Sequence, residues 1–155
     1  KKGFGLKKFA TDEEKKKKEE KDKSMKMSER LNLYKDRQRN NLSENAYGAI
    51  VRLRMDNSHP LGFGYEKEYL SLKLRNRRYA YLESGWNVGT TQDSTSIVSG
   101  FVGFKAKQNF RESLVFGVEE IGRGSVVYMV DNPLFRGFWY NGKLLFGNAV
   151  FLVGN

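Results

Sequence analysis

Residues 125–153 constrain the fold most, because they join a strand pattern, a sharp turn and a helix pattern. Residues 126–130 are apolar throughout, and strands without polar alternation are usually covered on both faces. The Asp-Asn-Pro sequence at residues 131–133 ends this run with turn-forming residues. Residues 142–153 are apolar on nearly every side but too few to cross a bilayer. We therefore predict a buried strand followed by a closing helix that packs against a sheet.

A β-hairpin is predicted just before this turn. Residues 114–118 and 126–130 are rich in β-branched and aromatic side chains and are joined by a short segment containing Gly122 and Gly124. Further strands are predicted over residues 51–55, 69–74, 79–82 and 97–104, a helical turn over 105–111, and loops over 56–65 and 85–94. Together these patterns indicate an α/β fold class for residues 41–155.

Residues 1–40 form a charged leader that differs from the rest of the chain. They hold 15 of the 28 Lys and Arg residues and a net charge of +7, whereas residues 41–155 carry a net charge of +3. Thr11 and Glu14 form a capping-box pattern, which predicts a helix from Asp12 to about Arg39. The basic run at residues 15–18 suggests phosphate binding, but the acidic residues that follow it favour a solvated helix face whose C-terminal half touches the body.

The residue types present exclude several kinds of catalytic centre. The chain has no Cys and one His, so neither a thiol nucleophile nor a protein-ligated zinc centre is expected. His59 lies in a predicted turn and no Gly-x-Ser-x-Gly elbow accompanies it. We expect His59 to make a local hydrogen bond, and we expect no catalytic residue, metal or cofactor in this chain.

The residues Asp131, Asn132 and Arg136 are the main candidates for binding a ligand, with His59 as a further candidate. They follow the end of a buried strand, where ligands bind in open α/β sheets. A structural alternative is favoured: Asp131 and Asn132 cap the turn, and Arg136 pairs with Asp131 or with the leader.

Several sequence strings resemble one protein family. These are YKDRQR at residues 34–39, DNSHPLGFG at 56–64, VSGF at 98–101 and GRGSVVYMVDNPLFRGFW at 122–139. They resemble the C-terminal end of large secreted zinc carboxypeptidases of Bacteroidetes-type bacteria. In that family a peptidase domain with a His-x-x-Glu zinc motif comes first. The tail is a separate domain similar to class I glutamine amidotransferases, with a flavodoxin-like α/β fold.

This resemblance implies that the chain is the later part of such a tail, with a partial flavodoxin-like sheet. It contains neither the His-x-x-Glu motif nor the amidotransferase Cys, so no catalytic residue carries over. Zinc would belong to the parent's peptidase domain. The implied location is periplasmic, outer-membrane-associated or secreted. The implied partner is the rest of the parent polypeptide or an identical chain.

Three functions follow as hypotheses. The first is a non-catalytic accessory domain of a zinc metallocarboxypeptidase. The second is a basic module that binds nucleic acid or another polyanion through the leader, which the core-like placement of the aromatic residues disfavours. The third is a small-ligand-binding α/β domain.

Overall fold

The computed structural model describes residues 33–92, 96–108 and 110–154. The Thr11 cap, the basic run at residues 15–18 and most of the predicted leader helix lie outside these described residues. Of that helix, residues 33–39 are described. Leu33 and Tyr34, two apolar residues of that predicted helix, are 59% and 79% exposed.

Six strands and three α-helices make up the described chain. The strands are β1 Ala46–Met55, β2 Glu68–Lys73, β3 Trp86–Thr91, β4 Ile97–Val102, β5 Ser113–Ile121 and β6 Gly124–Met129. The helices are α1 Arg37–Glu44, α2 Phe104–Gln108 and α3 Asn141–Phe151, with short 3-10 helices at Tyr34–Asp36, Pro60–Gly62 and Phe135–Gly137. Helix α1 runs through the domain boundary predicted between residues 40 and 41.

All strand pairings in the described sheet are antiparallel, so the expectation of a partial flavodoxin-like sheet is wrong. The strand order is β2-β1-β3-β5-β6, and β4 also pairs with β1. The fold is still mixed α/β in content. The connections explain the difference: a parallel sheet requires long crossovers, whereas the β5–β6 hairpin turns within two residues.

Strand β1 pairs with three other strands, and this arrangement curls the sheet. One edge of β1 pairs with β2 from Ala49 to Arg54. The other edge is shared: β4 pairs with its first part, with register shifts, and β3 pairs with Arg54 and Met55. Because two strands diverge from a single edge of β1, the sheet curls instead of remaining flat.

The core lies on the side of the sheet that the alternation of β1 predicted. Val51, Leu53 and Met55 are buried, whereas Arg52 and Arg54 between them are exposed. Across the core, the rings of Tyr69 and Phe116 meet edge to face with centroids 5.3 Å apart. Each fully buried apolar side chain of this kind stabilises the fold by roughly 1.5–3 kcal/mol.

The hairpin is confirmed, but the expectation that its second strand is covered on both faces is wrong. Pairing extends from Phe116 opposite Met129 to Ile121 opposite Gly124. Strand β6, expected to be covered on both faces, is the edge strand of the sheet and is only half-buried. Strand β5 lies between β3 and β6 and is buried from Ser113 to Val118. How deeply each strand is buried therefore depends on its position in the sheet and not on its apolar residues alone.

Two other local predictions are also corrected. Residues 85–94 were expected to form a loop, but residues 86–91 form β3, which pairs with β5. Residues 79–82 were expected to form a strand, but they form none. This segment is joined to β5 by isolated hydrogen bonds instead of a strand ladder, and in one of these Leu114 N donates to Tyr79 O over 3.0 Å. Strands β2 and β4 and the short helix α2 agree with the predictions, whereas β1 begins at Ala46 and so extends before the predicted range of 51–55.

Helix α3 is covered on one side only. Gly142, Leu145 and Asn148 are buried, and Asn148 Nδ2 donates to Leu61 O and Phe63 O over 3.1 and 2.7 Å. The helix therefore packs against the loop after β1. The expectation of a helix buried against the sheet is only partly met, because most of its remaining apolar side chains are exposed.

Candidate functional site

Asp131 lies two residues after β6 and is engaged in a buried ion pair. Its Oδ1 atom lies 3.1 Å from Lys73 Nζ, and its Oδ2 atom accepts a 2.6 Å hydrogen bond from Ser71 Oγ. The side chains of Lys73 and Asp131 are 1% and 9% exposed. The carboxylate therefore joins β2 to the chain after β6, and it does not cap the turn as the structural alternative expected.

Asn132 and Arg136 have separate roles in the turn. Asn132 Oδ1 accepts from Leu134 N over 2.9 Å, so this residue caps the turn as expected. Arg136 is exposed, and its guanidinium carbon lies 5.2 Å from the centroid of the Phe135 ring. In the described part of the chain, the cation paired with Asp131 is Lys73 and not Arg136.

His59 makes the local hydrogen bond that its turn position predicted. It is the N-cap of the 3-10 helix Pro60–Gly62, and its Nδ1 atom accepts from Leu61 N over 3.0 Å. Burial lowers the pKa of His59 from its ordinary value, although the nearby Asp56 carboxylate acts in the opposite direction. The ring is therefore neutral near pH 7. Because Nδ1 accepts, Nε2 carries the proton.

The four predicted site residues do not converge. Asp131 and Asn132 line a shallow depression of about 240 Å³ together with Arg75 and Arg77. His59 lines a different and larger cleft. A ligand was expected at Asp131 because ligands bind at the carboxyl ends of parallel strands. This sheet is antiparallel, so that expectation does not apply here.

The larger cleft has a volume of about 650 Å³ and is formed by four segments. These are the turn after β1, the start of β3, the β5–β6 turn and the end of α3. The residues that define it are Asp56, His59, Trp86, Glu120, Arg123 and Val153. We call it the His59–Trp86 cleft. The centroids of the two rings that name it lie 6.0 Å apart.

Trp86 is the residue of this cleft that sequence reasoning missed. It was assigned to a loop without a role, but it begins β3 opposite Val118 and remains 53% exposed. The preceding Gly85 has φ +103°, and a Cβ atom there would lie 2.3 Å from Val118 O. This glycine lets the chain enter β3 tightly against β5, which places the indole at the cleft. The sequence signal that could have identified Trp86 is a tryptophan directly after a glycine in a turn.

Within residues 33–92, 96–108 and 110–154, no group of three or more His, Asp or Glu side chains is arranged to hold a metal ion. No described helix is long and apolar enough to span a membrane.

Comparison with known proteins gives no relative for this chain. No family model, no curated protein and no solved structure is significantly similar to it.

Proposed function

We propose that this chain is a non-catalytic accessory domain of a zinc metallocarboxypeptidase and that it docks onto the rest of that enzyme through the exposed side of α3. The proposal rests on the sequence resemblance described above and on one structural observation. That observation is the apolar character of the exposed side of this helix.

The exposed side of α3 lacks the polar residues of an ordinary surface helix. Its exposed apolar side chains are Leu144, Phe146, Val150 and Phe151, followed by Leu152. Phe151 is 71% exposed. A helix in contact with water usually carries charged or polar residues on its outer side. An outer side built from large apolar residues instead favours contact with another protein surface.

The surface also indicates what kind of partner would fit. Lys143 is the one charged residue in α3, and its Nζ atom lies 3.8 Å from the centroid of the Tyr140 ring. In the loop after β1, Phe63 is exposed and precedes Gly64, where an added Cβ atom would lie 2.9 Å from Leu144 Cδ2. A matching partner surface is therefore mainly apolar, as in permanent protein–protein interfaces. We propose the peptidase domain of the parent enzyme as this partner.

The chemistry is then divided between the two domains. In this proposal the peptidase domain holds the zinc ion and all catalytic residues, and the present chain contributes stability or positioning. Its proposed location is periplasmic, outer-membrane-associated or secreted, as in the family that it resembles.

The test compares the chain alone with the chain extended by the polypeptide that its gene encodes upstream of Lys1. We expect the extended protein to bind zinc and release C-terminal residues from peptides. We also expect hydrogen exchange of the α3 amides to be slower in the extended protein. A Val150→Asp substitution should weaken that protection and lower the peptidase activity, while leaving the melting temperature of the isolated chain nearly unchanged.

A matched control replaces an exposed apolar residue outside this surface. Val98 lies on β4 and is about as exposed as Val150, so Val98→Asp should leave the protection of α3 unaltered. Two outcomes contradict the proposal: an upstream region that binds no zinc, or a stable homodimer of the isolated chain that buries α3. The second outcome would identify an identical chain as the occupant.

A further inference from the structure

We propose that the His59–Trp86 cleft binds a neutral saccharide. This site borders the α3 docking surface at Leu152, but its aromatic and polar recognition groups come from the turn after β1, from β3 and from the β5–β6 hairpin. Its volume of about 650 Å³ lies within the range of roughly 300–1,000 Å³ that is typical of small-ligand pockets.

The walls of the cleft suit one face of a sugar ring. Trp86 presents a half-exposed indole, with the imidazole of His59 tilted 48° to it. Pro60, Leu152 and Val153 add apolar surface. Aromatic rings provide flat apolar area together with a polar edge. The C–H face of a pyranose is flat and apolar in the same way, so stacking on the indole would remove both surfaces from water.

The polar groups of the cleft suit hydroxyl groups. Asp56 and Glu120 offer carboxylate acceptors, whereas Arg123 offers guanidinium donors. Nε2 of His59 adds a neutral N–H donor, since Nδ1 is already bonded to Leu61 N. The Asp56 carboxylate is held in place by Ser58, whose N atom donates to Oδ1 over 3.1 Å. A hydroxyl both donates and accepts, so it can use both kinds of partner.

This mixture of partners disfavours other ligand classes. An anion such as a phosphate ester needs donors, and the carboxylates of Asp56 and Glu120 would repel it. A quaternary ammonium ion would be attracted by the two carboxylates, but it has no acceptor for the donors of Arg123 and His59, which would stay unpaired beside it. A neutral molecule with several hydroxyl groups is not repelled and can pair with both the donors and the acceptors of the cleft.

The experiment uses the full chain with a Trp139→Phe substitution, which leaves Trp86 as its one tryptophan. Glucose, N-acetylglucosamine and cellobiose are titrated while indole fluorescence is followed, and calorimetry provides a second measurement. Inorganic phosphate and tetramethylammonium are titrated as probes of the other two ligand classes. We expect saturable binding of at least one sugar and no binding of either ion.

Substitutions then locate the site. Glu120→Gln and Arg123→Ala should each weaken sugar binding by about tenfold, the effect of losing one good hydrogen bond. Trp86→Ala should abolish the binding measured by calorimetry. Glu66→Gln and Arg111→Ala are matched controls at exposed positions outside the cleft, and they should change affinity less than twofold.

Three results would overturn the proposal. They are no response to any of the sugars, binding of phosphate or tetramethylammonium in their place, and sugar binding that survives both Glu120→Gln and Arg123→Ala. The last two variants alter exposed residues near the hairpin turn, so they test the site even if Trp86→Ala fails to fold.

Discussion

The ammonium nitrogen of Lys73 lies 3.1 Å from Oδ1 of Asp131, and this buried pair connects the two ends of the sheet. Lys73 is the last residue of β2, and Asp131 follows β6, which is at the opposite end of the strand order. The angle of the contact falls outside hydrogen-bond geometry, so it is an ion pair. The Phe110 ring centroid lies 5.8 Å from Nζ. The pair thus holds the curled sheet closed at the edge of the core.

We predict that removing one member of this pair is costly and that removing both is less so. Lys73→Met leaves the Asp131 carboxylate without its cation, and Asp131→Asn leaves a buried ammonium group unpaired. Each should lower the free energy of unfolding by about 3–5 kcal/mol. The double variant should lose much less than the sum of the two. Urea unfolding of all four proteins measures this coupling, and strictly additive losses would contradict it.

The exposed pair of Arg52 and Glu68 provides the comparison for this prediction. Its Nε and Oε2 atoms lie 3.3 Å apart, but both side chains are more than half exposed. Water and salt screen such a pair, so Arg52→Met should cost less than about 1 kcal/mol.

Two glycines of α3 should respond to alanine in opposite directions. Alanine raises helix propensity by about 1 kcal/mol at either position. At Gly147 nothing lies within 4 Å of the new Cβ atom, so Gly147→Ala should raise the melting temperature. At Gly142 the Cβ atom would lie 1.9 Å from Pro133 O, a backbone atom, so Gly142→Ala should lower it. Thermal unfolding followed by circular dichroism distinguishes the two, and a shared direction of change would contradict the packing of α3 on the turn.

We predict that Asn148→Asp destabilises the chain strongly near pH 7. The Asn148 amide donates to Leu61 O and Phe63 O, and a carboxylate would face both carbonyls without a proton. The cost of such a buried unsatisfied group is about 1–3 kcal/mol, and more when it is charged. Protonating the new carboxylate should recover part of this loss at low pH. The exposed Asn141 also donates to a carbonyl, that of Leu70, so Asn141→Asp serves as the control and should cost less.

The stability of the fold should decrease as pH falls from 7 to 5. Burial lowers the pKa of His59 below its ordinary value of 6.5, so the unfolded chain binds this proton more tightly. The contribution of the neutral ring is complete above pH 6.5. It is lost as the pH falls through that value toward the folded pKa. The loss is complete once the pH lies below the folded pKa.

His59→Asn tests this prediction cleanly, because the chain contains one His. Asparagine keeps an N-cap acceptor but does not titrate, so the variant should show no stability change between pH 7 and 5. The Ser58 hydrogen bond lowers the pKa of Asp56 below 3.8, so Asp56 acts at more acidic pH than this window. If His59→Asn loses as much stability between pH 7 and 5 as the unsubstituted protein does, the effect belongs to another group.

Much of the local structure was predictable because it depends on neighbours in the sequence. The alternation predicted β2, the second half of β1 and the buried side of β1. The β5–β6 hairpin and the cap formed by Asn132 followed from turn-forming residues. Strand β3 was missed because Gly89 interrupts its pattern, and that glycine is explained by the Phe116 side chain, which lies 2.6 Å from the position of a Cβ atom. This contact joins residues distant in sequence, so no local pattern reports it.

The sequence by itself determined the strand periods, the hairpin, the Asp-Asn-Pro turn and the apolar character of residues 142–153, because these depend on side-chain spacing and turn chemistry. Tertiary structure alone decided that the sheet is antiparallel, that Asp131 pairs with Lys73 and that α3 leaves an apolar side uncovered. It also brought His59 and Trp86 to one cleft. Each of these features depends on which distant segments meet when the sheet curls around β1, and local sequence patterns do not specify that.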